Sequence, residues 1–583
     1  MLRGSWWLAA WLLPMGCYAG VDTAGRDTDT PMGETEDEPD EDTTGGDETG
    51  PQDETDGEGD DQPAGCEPGD VPLATLVRMN QDGYVHALRD IFGSNVVVEL
   101  EATLSAIPST HIGHFSTELG PPSYAEVSAQ VNAAFAVASL VTQDPAKLAE
   151  LTACLPDVPE GADLSSDPCL SAFAQDFGLR ILRRPMTDAD LERLAADYEI
   201  GAEHSVSEGV ATLLTAMLID PDFLYDRIEG EELDDGIIRL SPHETAARMA
   251  RVLWNSTPDL ELLAAAEAGF DEATLRAEAE RMLDDPQARV ALGGFFYDWL
   301  ELEAVPFASE QTVPDAAARS ALREAMGTAV TDFASATILD ADGSYADLLL
   351  DRTAYIDDEN LAELYGVDVS AGPVELPAER AGLLTRAGFI ATPEIPGTNA
   401  GHIIKRGARL SAFICRPLPL PDADAFPEDD PAEPGENPTQ GIRERFAAAT
   451  SEATCASCHV QLDGLGAPLG HFGSLGQWID TEQVGDSQLP INTAAEVLID
   501  AQSVPVDNPV ALSEALASSI EGPHCLAESL ARNMLGHELT DEDACLVEEL
   551  ANRLAGEEDA PASVREALID FVVSDRFRHV RTP

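Results

Sequence analysis

Apolar residues recur three and four positions apart along much of the chain, and a helix-capping residue opens most of these runs. Ser241-Pro242-His243-Glu244 is a capping box with Pro at the first helical position. Ala246, Met249, Ala250, Leu253 and Trp254 follow it at helical spacing. Thr187 to Asp190 repeats this logic ahead of Leu191, Leu194 and Tyr198. Thr257-Pro258 predicts the start of another helix, carrying Leu260, Leu262, Leu263 and Ala266. The same period predicts helices over 274–283, 316–339, 526–534 and 564–573. No sustained two-residue alternation occurs, so the expected class is mainly α. Breaks fall at 155–168, 368–377 and 417–437, the last a Pro/Asp/Glu-rich surface loop.

Length turns this pattern into a multi-domain helical body. A chain of 583 residues is too long for one core. The expected units are 71–150, 160–232, 236–367, 376–480 and 508–580. The formal net charge is −75. That excludes strong nucleic-acid binding, since no basic excess exists to displace counterions from phosphates. It excludes adhesion to anionic lipid through a basic face for the same reason. Only Lys147 and Lys405 are lysines, so nearly all positive charge is arginine. Residues 18–70 read as a disordered acidic linker, a composition of Asp, Glu, Thr, Gly and Pro that cannot bury enough apolar surface to offset chain entropy.

Residues 1–17 read as an export signal, with Arg3 ahead of the short apolar core Trp6-Trp7-Leu8-Ala9-Ala10-Trp11-Leu12-Leu13. Leu13-Pro14-Met15-Gly16-Cys17 is similar to a bacterial lipoprotein box, which makes Cys17 the lipidated residue. On this reading the chain is a membrane-anchored lipoprotein of the bacterial envelope, touching the membrane only through its N-terminal lipid. Cleavage after Ala19 is the rival reading, giving a soluble periplasmic or secreted protein. Export suits disulfides. Cys154 and Cys169 flank a loop and form one expected pair. Cys525 and Cys545 sit in helical stretches joined by a short connection and form a second. Cys66 with Cys415 then follows by elimination.

Cys455-Ala456-Ser457-Cys458-His459 is the motif that carries chemistry. It is the C-x-x-C-H pattern of covalent haem attachment: two thiols three apart can each add to a vinyl group, and the following His can ligate the iron from below. Chance predicts about 0.003 such matches from the Cys and His content. A zinc site would need further ligands at tight spacing, and a redox dithiol would need a thioredoxin-like βαβ context. Neither occurs. One haem c, with Cys455 and Cys458 as attachment residues and His459 as proximal iron ligand, is the expected cofactor. His471, Met534 and His537 are the candidates for the sixth iron position. A second protein ligand there favours electron transfer, whereas an open position permits small-molecule chemistry.

From Leu76 onward the chain resembles bacterial exported cytochrome-c-like proteins built from domains of unknown function 1587, 1595, 1592, 1588 and 1585. The resemblance rests on Leu76-Val77-Arg78-Met79-Asn80, Arg183-Arg184-Pro185-Met186-Thr187 and Leu253-Trp254-Asn255-Ser256-Thr257-Pro258-Asp259. Further on it rests on Glu379-Arg380-Ala381-Gly382, Lys405-Arg406-Gly407 and the haem motif running to Asp463. It implies a cytochrome-c-like haem-binding segment in a helical body and no settled activity. Where the family often has a second haem segment near its start, this chain has the acidic linker, so one haem is expected. Asp463-Gly464-Leu465-Gly466 also departs from the usual Asp-Pro-x-Gly.

Three functions are compatible with these readings: a mono-haem electron carrier, a haem-dependent oxidoreductase, and a surface binding lipoprotein with a structural haem. The carrier is the leading expectation. The large negative charge would steer it toward a redox partner with a basic docking face. Other features have blander readings. Arg183 and Arg184 read as helix-end arginines paired with local acids, and Asp340 to Ser344 as a turn. Phe295, Phe296, Tyr297 and Trp299 read as a core stripe, and Trp254 as core. His111 and His114 read as solvated.

Overall fold

A computed structural model describes residues 66, 70–108, 122–233, 236–395, 397–416, 439–451, 453–556 and 562–582. Cys17, the acidic linker up to residue 65, His111, His114 and the expected loop at 417–437 lie outside them. The described chain is mainly helical, as its periodicity predicts. None of its helices is long and apolar enough to cross a membrane.

Capping chemistry sets the helix starts. Asn80 accepts from the Gly83 N–H at 2.7 Å and opens α1 (Gln81–Phe92), which buries Tyr84, Ala87, Leu88 and Ile91. This stripe packs with α2 (Tyr124–Thr142), α3 (Pro168–Leu182), α4 (Asp188–Ala202) and α5 (Val206–Leu218) around a core drawn from residues 84–224. The Thr187–Asp190 capping box is present at the start of α4. So is that of Ser241 and Glu244 at the start of α6 (Pro242–Trp254). The next helix, α7 (Leu260–Ala268), starts later than Thr257-Pro258 predicts. Asp259 is its N-cap, because its carboxylate reaches the Leu262 N–H at 2.7 Å.

A larger core runs from residue 246 to residue 577. It holds α6, α7, α8 (Glu272–Asp284), α9 (Pro286–Trp299) and α10 (Ala316–Leu339). Phe295, Phe296, Trp299 and Trp254 are buried in it, as expected, and the Trp254 indole N–H donates to the Met282 carbonyl. Tyr297 is the departure, with 41% of its surface exposed. Asp340 to Ser344 is a turn that leads into a capped helix.

Two β-hairpins beside the candidate site, among the described residues, add strands to the mainly α body. β1 (Thr481–Val484) pairs with β2 (Ser487–Pro490), and β3 (Ala495–Ile499) pairs with β4 (Gln502–Val506), both antiparallel. Each strand is four or five residues long, too short to register as sustained alternation. The second turn places Asp500 and Ala501 at φ +49° and +58°. The Asp500 carboxylate accepts from the Ile520 and Glu521 N–H groups, which anchors that turn to α14 (Glu521–Leu535). After α14 come α15 (Ala544–Ala555) and α16 (Val564–Val573), and a short strand, His579–Arg581, then pairs with Ile237–Arg239.

The disulfides correct two expected pairings. Cys154–Cys169 forms as expected, with Cα atoms 6.0 Å apart. Cys525 pairs with Cys415 and not with Cys545, and Cys545 pairs with Cys66, at Cα separations of 5.4 and 5.6 Å. The cause is facing. Cys525 is buried on α14 beside the Arg416–Glu521 ion pair, whereas the half-buried Cys545 meets the N-terminal strap near Asp70. Neighbouring positions in a helical hairpin do not share a face. A non-reducing digest of the mature protein read by mass spectrometry should therefore yield 66–545, 154–169 and 415–525 cross-linked peptides. A 525–545 peptide would contradict this fold.

Candidate functional site

The C-x-x-C-H segment lies on α13 (Ala453–Gly466). Cys455 and Cys458 are half-buried, three residues apart on one helical face, and take part in no disulfide. The other six described cysteines form the three disulfides. His459 follows directly and is also half-buried; its Nδ1 is enclosed without a hydrogen-bond partner among the described residues. One turn on, the Asp463 Oδ1 is likewise enclosed and unpartnered. Burial pushes the Asp463 carboxyl up, opposed by His459 and Arg443.

What holds α13 in place is α11 (Ile403–Phe413). The two helices approach so closely that only glycine fits at the contacts. A Cβ on Gly407 would lie 1.9 Å from the Leu462 carbonyl oxygen, and one on Gly466 would lie 2.0 Å from that of Ile403. Beside Gly407, the Arg406 side chain is buried with no carboxylate at hand. Its guanidinium donates to the carbonyls of Ile390 at 2.8 Å, Leu469 at 3.0 Å, Phe472 at 2.7 Å and Gly473 at 2.5 Å. Burial pushes this guanidinium down to about 9. Arg380 behaves alike, donating to the Thr385 and Gly476 carbonyls between the rings of Tyr365 and Phe472. The far end of α11 joins the main core through Phe413, which stacks on Trp299 at 4.9 Å.

A small apolar cluster lies beside α13, separate from the two large cores. Ile395, Ala400, Ile403, Ile404, Ile442 and Phe446 form it, with Leu462 packed against it. The His402 ring lies 4.5 Å from that of Phe446. Glu482 on β1 closes one side. Its buried carboxylate accepts from the Ile442 N–H at 2.6 Å and so caps α12 (Ile442–Ala449), whose own N-cap, Gly441, has no side chain. Burial, reinforced by Glu444 and opposed by the Ile442 hydrogen bond and Arg445, pushes the Glu482 carboxyl up to about 7.

The candidates for a second iron ligand separate. His471, five residues beyond α13, stacks on Trp478 at 4.7 Å, and its Nδ1 bonds the Ile479 carbonyl at 2.9 Å. Met534 is buried among Val252, Leu253, Phe295 and Leu568. His537 is buried, with Nδ1 on the Glu538 carbonyl and Asp543 at 3.8 Å. Arg183 and Arg184 pair with Asp226, Asp190 and Asp222, as their helix-end reading predicts. Sequence reasoning missed His402, Glu482 and the structural weight of Arg406. A His at the cap position of an amphipathic helix was the available signal for His402. Glu482 had none, since its role exists only once β1 meets α12.

Three stretches match family models. Residues 169–229 match PSD5, a protein of unknown function (DUF1595). Residues 240–367 match PSD4, a protein of unknown function (DUF1592), and residues 380–482 match PSCyt3, a protein of unknown function (DUF1588). No curated protein and no solved structure matches the chain.

Two outcomes follow from this geometry. Arg406→Met leaves four buried carbonyls without their donor and should cost at least about 3 kcal/mol in urea unfolding; a loss under about 1 kcal/mol would contradict the clamp. For Glu482, the folded carboxyl keeps its proton to higher pH than the unfolded one. Its contribution is therefore full below its ordinary value near 4.5 and is lost as pH rises through about 7. Glu482→Gln should melt above the parent at pH 8 and lose that advantage at pH 4.5. Equal melting temperatures at both pH values would contradict it.

Proposed function

From a chain that carries the domains of unknown function 1595, 1592 and 1588 in succession, we propose an exported mono-haem protein that passes electrons. Cys455 and Cys458 would hold one haem c by thioether links, and His459 would ligate its iron. The observation that carries this reading is the first part of α13, with two half-buried thiols three apart and an imidazole immediately after. The His459 Nδ1 is enclosed and meets no hydrogen-bond partner among the described residues, which suits a residue kept for a ligand. The short name PSCyt3 of the matching family, with its abbreviation for a cytochrome, agrees.

When bound, haem supplies one-electron exchange. The chain's own residues do the rest. Gly407 and Gly466 let α11 brace α13 at backbone contact, and Arg406 locks the loop that follows, so the thiols and His459 sit on a fixed rail. The apolar cluster around Ile403 and Phe446 offers a dry wall beside that rail. Among the candidates for the sixth position, His471 stands five residues beyond α13 in the chain, and His537 holds its Nδ1 on a carbonyl in the same way. A proton held on Nδ1 by the Ile479 carbonyl leaves Nε2 with its lone pair for iron. The acidic surface favours a partner with a basic docking face. The N-terminal leader, with Cys17 as lipidation site, would keep the protein at the bacterial envelope.

The test is direct. Protein made where the attachment machinery operates should keep a haem-stained band through denaturing electrophoresis, and Cys455→Ser with Cys458→Ser should abolish it. The reduced protein should leave its absorption spectrum unchanged when carbon monoxide is added. Ready carbon monoxide binding would contradict the carrier and favour a haem-dependent enzyme.

A further inference from the structure

The short motifs at 78–80, 183 and 255–256 come from three distant parts of the chain, yet they end on one cleft. It has a volume of about 560 Å³, within the roughly 300–1,000 Å³ range of small-molecule sites, and opens where α1, the end of α3, α6, α9 and α10 meet. None of the residues assigned above to the haem lines it. The charges on its walls say what it can hold. Arg183 and Arg251 both bond Asp226, at 3.2 and 2.5 Å, and spend further donors on the Tyr225 and Met534 carbonyls. Arg78 bonds Glu126 at 2.8 Å, and Arg289 bonds both oxygens of Asp340 at 2.6 Å. Every arginine on the cleft is thus matched to an acid, while Asp82, Asp298 and Asp332 add negative charge. An anionic ligand would be repelled.

What the walls leave unspent is polar and uncharged for the most part. The Asn533 amide, the Tyr297 hydroxyl and the Asp332 carboxylate make no hydrogen bond to another described residue. His86 bonds the Asn255 carbonyl through Nδ1 and keeps Nε2, and its burial holds the ring neutral. The Tyr297 ring is exposed where its neighbours on α9 are core. At Gly294 no atom lies within 4 Å of where a Cβ would sit, so the helix there presents bare backbone to the cleft. Amide, hydroxyl, imidazole and carboxylate beside an open aromatic face are complementary to a molecule rich in hydroxyls with apolar C–H faces. We propose that this cleft binds a neutral polyhydroxylated ligand, a saccharide. The proposal is independent of the haem reading.

Titration calorimetry of the intact protein with cello-, xylo-, malto- and chito-hexaose tests it, with Tyr297→Ala, Asn533→Ala and Gly294→Phe as variants. At least one saccharide should bind. Tyr297→Ala and Gly294→Phe should each weaken it ten-fold or more, with melting temperature and circular dichroism unchanged. No binding by any of the four would overturn the proposal, as would binding that all three variants leave intact. Binding of spermidine without binding of saccharide would also overturn it, because the site would then select an organic cation.

Discussion

A single buried guanidinium sets the geometry on which the candidate site depends. Arg406 is taken out of water with no carboxylate among the described residues to meet it, a cost of several kcal/mol unless its donors find acceptors. The fold answers with four backbone carbonyls from two segments, one ahead of α11 and one after α13. Because carbonyl positions follow the backbone, the arginine fixes the path of the chain itself. The glycine contacts at 407 and 466 then bring α11 and α13 to backbone distance. The C-x-x-C-H turn therefore stands on a braced helix and not on a free loop, as a redox centre needs if its surroundings are to change little between oxidation states.

Helices were legible wherever a cap side chain had one choice. Ser241 with Glu244, and Thr187 with Asp190, are reciprocal pairs, and their helices begin where the pattern predicts. At 257–259 two caps compete, and the one whose carboxylate reaches the third N–H prevails. The hairpins were not legible because their signals are weak. Pro490 ends one strand and Pro505 sits inside another, and the second turn uses Asp500-Ala501 where Asn-Gly would have announced it. Disulfide partners depend on which way a helix faces, which spacing alone does not tell. The pentapeptide of the site was plain from sequence. Its support was not, since Arg406 reads as an ordinary helix residue and Gly407 and Gly466 read as helix-weakening positions.

Charge bears on both sites. With two lysines and a formal charge of −75, the chain still buries eight arginines among the described residues. Arg380, Arg386 and Arg406 bond carbonyls, and Arg183 and Arg251 hold Asp226 beneath the cleft. The exterior is left acidic, which repels anions and favours a basic protein partner, while uncharged molecules can approach the cleft without penalty. The α13 region would then exchange electrons and the cleft would take a neutral ligand.

The central claim is that α13 carries one covalent haem. The intact mass of the mature protein, denatured and with its disulfides reduced, measures this most directly. The account predicts the polypeptide mass plus a single haem. Folded protein, produced alongside a working attachment system, that shows only the polypeptide mass would contradict it.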